Sequence, residues 1–172
     1  MYPTLKSGDR LILNRISKNF NKVPKRGDII TFEKPREDID VDVEQLDLSS
    51  PKAIYKEETK GIFNKFLYYV LEINKISYIK RVIGLPGEKV QIKEGKVFIN
   101  GEELEESYLP QGTITESKYL NDFVVPEGYI FAMGDNRKNS KDCRDFGCIP
   151  IEKIEGTVLI RFWPLNKIGS VQ

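Results

Sequence analysis

The chain has 172 residues, 40% of them hydrophobic and 31% charged, which is typical of one globular domain with a real core. A formal net charge of +1 provides no overall field that would favour nucleic acid as a partner. The absence of histidine excludes Ser-His-Asp and Cys-His triads and metal sites built on histidine. Two cysteines, Cys143 and Cys148, are too few for a zinc quartet and lack CxxC spacing. We interpret them as free, small core residues, although an oxidising compartment would let them pair.

Short apolar runs bounded by Gly, Pro and polar residues recur along the chain and predict β-strands. In chain order they cover residues 9–14, 28–32, 90–93, 96–100, 129–133 and 156–163. The runs at 90–93 and 96–100 flank Glu94-Gly95, a turn sequence that predicts a hairpin. The pattern favours a mostly β fold, an antiparallel barrel or sandwich of short strands within one domain over 1–172. We expect the hairpin to belong to a subregion over 88–128.

Residues 37–77 interrupt this pattern and predict an insert. The part through residue 60 is polar and acidic and indicates a mobile excursion, whereas 61–72 has the periodicity of an amphipathic helix. Packing of this helix on the barrel is favoured over a membrane surface, because its polar face is not rich in Lys or Arg. No stretch has the roughly 18 apolar residues of a membrane span, so the chain as given is expected to be soluble. The acidic run at 102–106 is interpreted as a solvated face.

Lys80 is the residue that could act as a base in a protein without histidine. It lies between Tyr78-Ile79 and Val82-Ile83, so a strand would surround it with apolar side chains. Burial disfavours the charged ammonium and can lower a lysine pKa by several units. On a strand, its two neighbours would point to the opposite face. From periodicity alone, an ordinary strand lysine facing solvent is the simpler interpretation.

Four sequence blocks change that balance, and they occur in a fixed order. They are MYPTL at 1–5, RGDIITF at 26–32, KRVIGLPG at 80–87 and MGDNRKNS at 133–140. Apart from the insert, nearly the whole chain resembles the type I signal peptidases, membrane-bound serine proteases that remove signal peptides. Each block alone is a weak signal, but four in order are specific.

The resemblance implies catalysis by a Ser-Lys dyad, with no metal and no cofactor. Lys80 matches the general base, and Ser140 matches the serine that hydrogen-bonds and orients the lysine amine. A simple loop cap is the alternative role for Ser140. Asp142 and Arg144 match a supporting charged pair.

Arg81 lies in the same motif as Lys80, and Asp135 lies in the same motif as Ser140. Together with Asp142 and Arg144, they are expected to form structural ion pairs rather than to move protons. Positions that line the substrate pockets of the family are matched by Met1, Leu5, Tyr78 and Ile79. Such pockets admit the small residues of A-x-A signal-peptide ends, bound as an extended strand.

The family motif, Ser-Met-x-Pro-Thr-Leu, puts the nucleophilic serine one position before the residue matched by Met1. We therefore expect the chain as given to be inactive, with the serine and a membrane anchor encoded upstream. Ser7 lies beyond the motif in a predicted turn and does not fill the role. The implied partners are signal peptides of exported preproteins and, through the anchor, a membrane, with the domain on its extracytoplasmic or thylakoid lumenal face.

Two other functions stay open at the level of sequence. A homologue that has lost its nucleophile would bind signal peptides without cleaving them. A self-cleaving repressor of the related Ser-Lys type would carry a DNA-binding domain upstream in place of the membrane helix.

Overall fold

The computed structural model describes residues 1–15, 23–35, 47–55 and 76–171, and most of the regular structure in them is β-strand. The strands in chain order are β1 (Arg10–Asn14), β2 (Ile29–Glu33), β3 (Ser77–Gly84), β4 (Lys89–Lys93), β5 (Lys96–Ile99), β6 (Glu102–Glu103), β7 (Asp122–Val124), β8 (Tyr129–Met133), β9 (Ile149–Pro150), β10 (Ile154–Trp163) and β11 (Gly169–Ser170). The helical elements of the described ranges are short: α1 (Cys143–Phe146) and 3-10 turns at Arg137–Asn139, Ile151–Lys153 and Leu165–Lys167. No helix in these ranges is long and apolar enough to cross a bilayer.

The larger sheet positions β3 between two neighbours. Its strands run in the order β1-β10-β2-β3-β8-β9, with β11 paired to β10, and every pair is antiparallel. Along β2, Ile30 lies opposite Lys80. On the other edge, pairing with β8 begins only at Arg81, which lies opposite Met133. Among the described strands, the first half of β3 is therefore paired on one edge only.

A smaller sheet is built on the hairpin of β4 and β5, in the order β6-β5-β4-β7. At the turn, Glu94 and Gly95 have φ values of 54° and 75°, the left-handed conformation that a tight hairpin needs and that glycine adopts without strain. Side chains alternate along both strands, so that one face is buried. That face joins the larger sheet in one apolar core, which includes Val90, Val97 and Phe131.

The predicted fold class is confirmed: the protein is mostly antiparallel β with a hairpin extension. All six predicted strands are present, the last one beginning two residues earlier than predicted, at Ile154. The described strands form two sheets that pack together and do not close into a barrel.

Within the predicted insert the structure describes residues 47–55 and 76–77, the last of which begins β3, and residues 47–55 pack against the core. The backbone N–H of Ala53 donates to the carbonyl of Cys148 at 2.8 Å, and the N–H of Cys148 donates to the carbonyl of Pro51 at 3.0 Å. Ala53 is buried, and so are both thiols, which are free. This part of the predicted excursion is therefore held in place by paired backbone groups. The helix predicted over 61–72 lies outside the described residues.

Candidate active site

Lys80 lies on β3 with a half-buried side chain. Strand alternation puts it on the same face as Tyr78, and its Nζ lies 5.3 Å from the centre of that ring. Burial lowers the pKa of the Lys80 amine below its ordinary value, and the negative charge of Asp142 opposes this shift only in part. The result is an amine that loses its proton more easily than a solvated lysine does.

The side chains of Ser140 and Lys80 both lie beside Gly134, the residue that follows β8. A Cβ on Gly134 would overlap the Oγ of Ser140 and would lie 3.6 Å from the Nζ of Lys80. The two side chains therefore share one small volume that only glycine leaves open. The Ser140 Oγ is buried and has no hydrogen-bond partner in the described part of the chain, so the hydrogen bond predicted between it and the lysine amine is not formed in this structure. A hydroxyl in that state is available to bond a group that enters the site.

The amino end of the chain reaches the same place. The N–H of Leu5 donates to the Met1 carbonyl at 2.9 Å, which folds residues 1–5 into a turn. The pKa of the Met1 amino group is lowered by burial and then by the positive charge of Lys80, and the negative charge of Asp135 opposes the shift. The nitrogen of Met1 is thus close enough to Lys80 for the lysine charge to affect its pKa. Thr4 fixes this turn by donating its hydroxyl hydrogen to Asp135.

Arg81 and Asp135 form a buried two-point ion pair beside the lysine. The Arg81 Nε lies 3.0 Å from one carboxylate oxygen and Nη2 lies 2.9 Å from the other, and the side chains are 2% and 0% exposed. A third guanidinium bond goes to the carbonyl of Gly27 at 2.9 Å. Because Asp135 also accepts from Thr4, it connects the turn at 1–5 to the strand that carries Lys80.

Asp142 and Arg144 form the second pair and close the loop that carries Ser140. The Gly134 N–H donates to the Asp142 carboxylate at 2.9 Å, which ties the two ends of the loop together. The same carboxylate accepts from Arg144 Nε at 2.8 Å and caps α1. Arg144 in turn donates to the carbonyl of Arg137 at 2.8 Å. The geometry is that of a supported loop, and its part in catalysis stays a prediction.

The four residues predicted to line substrate pockets divide between two faces of β3. Met1, Leu5 and Ile79 belong to one small apolar cluster with Ile29. Tyr78 lies on the other face and packs edge-on against Phe32, with ring centres 6.2 Å apart. The structure thus brings three of the four together, and their contact with substrate stays a prediction.

Sequence reasoning missed several residues of this region. The acidic run at 102–106 was expected to be a solvated face, which does not hold for Glu106: its side chain is only 10% exposed and pairs with buried Arg137 at 2.5 Å. Gly134 and Thr4 were noted only as parts of motifs. The spacing of Asp142, Asp145 and Gly147 is a capping box followed by a C-terminal glycine, and it was the available signal for α1.

A half-buried lysine beside a buried serine hydroxyl, in a chain without histidine, fits the class of serine peptidases that work without a histidine base. The model of the family described as "Signal peptidase, peptidase S26" matches residues 1–163. The chain belongs to this family, and within it to the type I signal peptidases.

Known relatives cover the chain almost completely. Signal peptidase I of Leptolyngbya laminosa is 36% identical over 171 residues, which are 99% of this chain and 68% of the relative. Signal peptidase I T of Bacillus subtilis is 35% identical over 180 residues, covering 100% and 74%. Thylakoidal processing peptidase 1 of Arabidopsis thaliana is 31% identical over 99% of this chain and 41% of that protein. The similarity includes the region of Lys80 and Ser140.

A solved structure has a comparable fold. The crystal structure of a signal peptidase I from Enterococcus faecalis V583 matches with a TM-score of 0.50 and 28% identity. The match covers 79% of this chain and 97% of that chain. The two-sheet antiparallel architecture described above is therefore the fold of this family.

Proposed function

We propose that this protein is a serine endopeptidase that removes signal peptides from exported preproteins, cleaving after small residues with Lys80 as the general base. The observation that carries the proposal is that three groups lie in one region of the molecule. These are the amine of Lys80 with its lowered pKa, the buried hydroxyl of Ser140 and the backbone nitrogen of Met1. Family membership supports the reaction, and the site chemistry supports its base.

The nucleophile in this proposal is a serine joined to the nitrogen of Met1. Burial and then the positive charge of Lys80 lower the pKa of the Met1 amino group, which supports a serine in that region as the partner of the lysine amine. The neutral amine would take the hydroxyl proton as the oxygen attacks the scissile carbonyl. The ammonium so formed would return the proton to the leaving nitrogen, and water would then hydrolyse the acyl-enzyme ester. Ser140 would hydrogen-bond the lysine amine and keep it directed at the serine.

Substrate binding is proposed at the free edge of β3. Among the described strands, β3 is paired on one edge only before Arg81, so an extended peptide could add there as a further strand. The cluster of Met1, Leu5 and Ile79 lies at the same end and offers apolar contacts to alternate side chains. An A-x-A sequence has its small residues at alternate positions, which suits this arrangement.

We also propose that the protein works at a membrane, on its extracytoplasmic or thylakoid lumenal side. Large apolar side chains are exposed on the first residues of the chain, on β1 and on β10, which pairs with β1. They are Tyr2, Ile12, Ile160, Phe162 and Trp163, between 39% and 56% exposed. Arg10 lies over the Trp163 ring and Lys6 over the Tyr2 ring. Aromatic and basic residues together are typical of surfaces at the membrane interface.

The test compares two proteins that carry the same short extension, ending in either Ser or Ala directly before Met1. A peptide containing an A-x-A site is the substrate, and the same peptide with Leu at both small positions is the control. We expect the Ser protein to cleave after the second alanine and to spare the control peptide, and the Ala protein to cleave neither. Equal activity of the two proteins would contradict the assignment of the nucleophile.

The other functions give different results in this test. A binding module would bind the A-x-A peptide in both proteins and cleave it in neither. A self-cleaving protease of the repressor type would process its own chain in preference to the added peptide.

A further inference from the structure

We propose that Glu106 is a positioning residue that holds the segment carrying Ser140 against the strand carrying Lys80. This inference rests on the proposed function, because it gives a purpose to the relative position of those two side chains. Glu106 lies on the loop that follows β6 of the smaller sheet, outside the motifs that carry the family resemblance. Its carboxylate is bonded to two side chains that lead to the two parts of the site.

The first connection runs through Arg137 to the Ser140 loop. Both terminal nitrogens of Arg137 reach the Glu106 carboxylate, at 2.5 and 3.0 Å, and one of them also donates to the Thr115 hydroxyl. Arg137 is 4% exposed and begins the 3-10 turn that ends one residue before Ser140. A buried two-point pair of this kind restrains orientation as well as distance. The loop that follows β6 therefore restrains the turn that directly precedes Ser140.

The second connection runs through Tyr108 to the Lys80 strand. The Tyr108 hydroxyl donates to the Glu106 carboxylate at 2.6 Å. The Tyr108 ring lies 4.0 Å from the guanidinium carbon of Arg81, the neighbour of Lys80 on β3. At that distance a guanidinium and an aromatic ring attract each other, more strongly where water is excluded. Arg81 is itself 2% exposed and is held by this ring and by the ion pair with Asp135.

Glu106 is thus bonded directly to Arg137 of the Ser140 loop and is linked to Arg81 of β3 through Tyr108. Neutralising its side chain would leave the buried guanidinium of Arg137 without its counter-charge, which weakens the restraint on the 3-10 turn. The turn would then move away from β3, and water would gain access to the volume beside Gly134. Lys80 would become better solvated, and Ser140 would no longer be held beside it.

Movement of the turn would change the pKa of Lys80. Other charged or titratable groups near Lys80 also affect this pKa, so they have to be identified first. Tyr78 contributes its ring from the same strand, and the nitrogen of Met1, which is an uncharged peptide nitrogen in the Ser-extended protein, lies near the lysine in the first turn. The segment that begins at the cap of α1 contributes four charged or titratable residues, namely Asp142, Cys143, Arg144 and Asp145. None of these groups is altered by a change at Glu106. A change in the Lys80 pKa would therefore report solvation and loop position.

The experiment uses Glu106→Gln in the protein whose N-terminal extension ends in Ser. The matched control is Glu88→Gln, since Glu88 forms a similar two-point pair with Arg26, at 2.6 and 2.9 Å. That pair also joins the start of the smaller sheet to the larger one, but it does not touch the Ser140 loop. Two quantities are measured: kcat and KM across pH with the A-x-A peptide, and the Lys80 pKa from its ¹³Cε chemical shift in lysine-labelled protein.

For Glu106→Gln we expect kcat to fall about tenfold with KM changed by less than about twofold. The pKa of Lys80 should rise toward its ordinary value, and the acid limb of the rate profile should move to higher pH with it. Glu88→Gln should lower the melting temperature and leave kcat, the acid limb of the rate profile and the Lys80 pKa unchanged. A merely structural role for Glu106 would give the same result as this control.

The proposal is overturned if Glu106→Gln keeps the parental kcat and Lys80 pKa, or if Glu88→Gln changes both as well. Should Glu106→Gln fail to fold, Arg137→Lys decides, because it keeps the charge and removes the two-point geometry. A folded Arg137→Lys protein with parental kcat and Lys80 pKa would refute the proposal, and reduced kcat with a raised pKa would support it. If the Ser-extended parent is inactive, the proposed function fails, while the Lys80 pKa comparison still tests the position of the loop.

Discussion

Gly134→Ala should separate Ser140 from Lys80 with one added methyl group. The new Cβ would overlap the Ser140 Oγ and lie 2.6 Å from its Cβ, whereas ordinary contacts begin at 3.4 Å. Ser140 must therefore move by about 0.8 Å, the difference between these two distances. The φ of Gly134 is outside the left-handed region, so alanine adds this contact without straining the backbone. A displacement near 1 Å in a catalytic group can reduce the rate about 100-fold.

The assay for this variant is kcat/KM with the A-x-A peptide, in the protein that carries Ser before Met1. Gly169→Ala is the matched control, because a Cβ there meets nothing within 4 Å and φ is again outside the left-handed region. We expect a loss of about 100-fold for Gly134→Ala and no change for Gly169→Ala. Activity of the Gly134→Ala protein within twofold of the parent would refute the view that Ser140 must lie beside Lys80.

Two further substitutions test the charges of the site. Lys80→Met should raise stability at pH 7, because burial disfavours the charged amine and lowers its folded pKa, a cost that is fully present below the folded pKa and disappears as pH rises past the ordinary 10.5. The gain should shrink as pH rises toward 10.5, and urea unfolding at the two pH values measures it; a gain independent of pH would contradict the assignment. Asp142→Asn should cost about 3 kcal/mol of unfolding free energy, because Arg144 would stay buried without a counter-charge. A loss below about 1 kcal/mol in urea unfolding would mean that the pair is not a support of the loop.

Local signals in the sequence predicted much of the fold. The hairpin was predictable because Glu94-Gly95 supplies the left-handed turn between two alternating strands. The face on which Lys80 lies followed from strand alternation, with Tyr78 on the same side. Each of these features depends on residues that are close in the sequence.

The features that sequence reasoning missed depend on distant partners. Glu106 stands in an acidic run that is indistinguishable from a solvated face until Arg137, 31 residues away, is brought beside it. The docking of 47–55 depends likewise on Cys148, nearly 100 residues further along the chain. Hydrophobic periodicity carries no information about which buried charged residues pair with each other. Such pairs become visible only when the sheet order is known.

The most direct test of the central claim compares two titrations in the protein that carries Ser before Met1. One is the acid limb of kcat/KM against pH with the A-x-A peptide, which reports the base of the free enzyme. The other is the Lys80 pKa from its ¹³Cε chemical shift. The account predicts that both titrate at the same pH, below the ordinary 10.5 of lysine, and that Lys80→Ala abolishes turnover. A Lys80 that titrates at 10.5 while the enzyme is fully active at neutral pH, or an active Lys80→Ala protein, would contradict it.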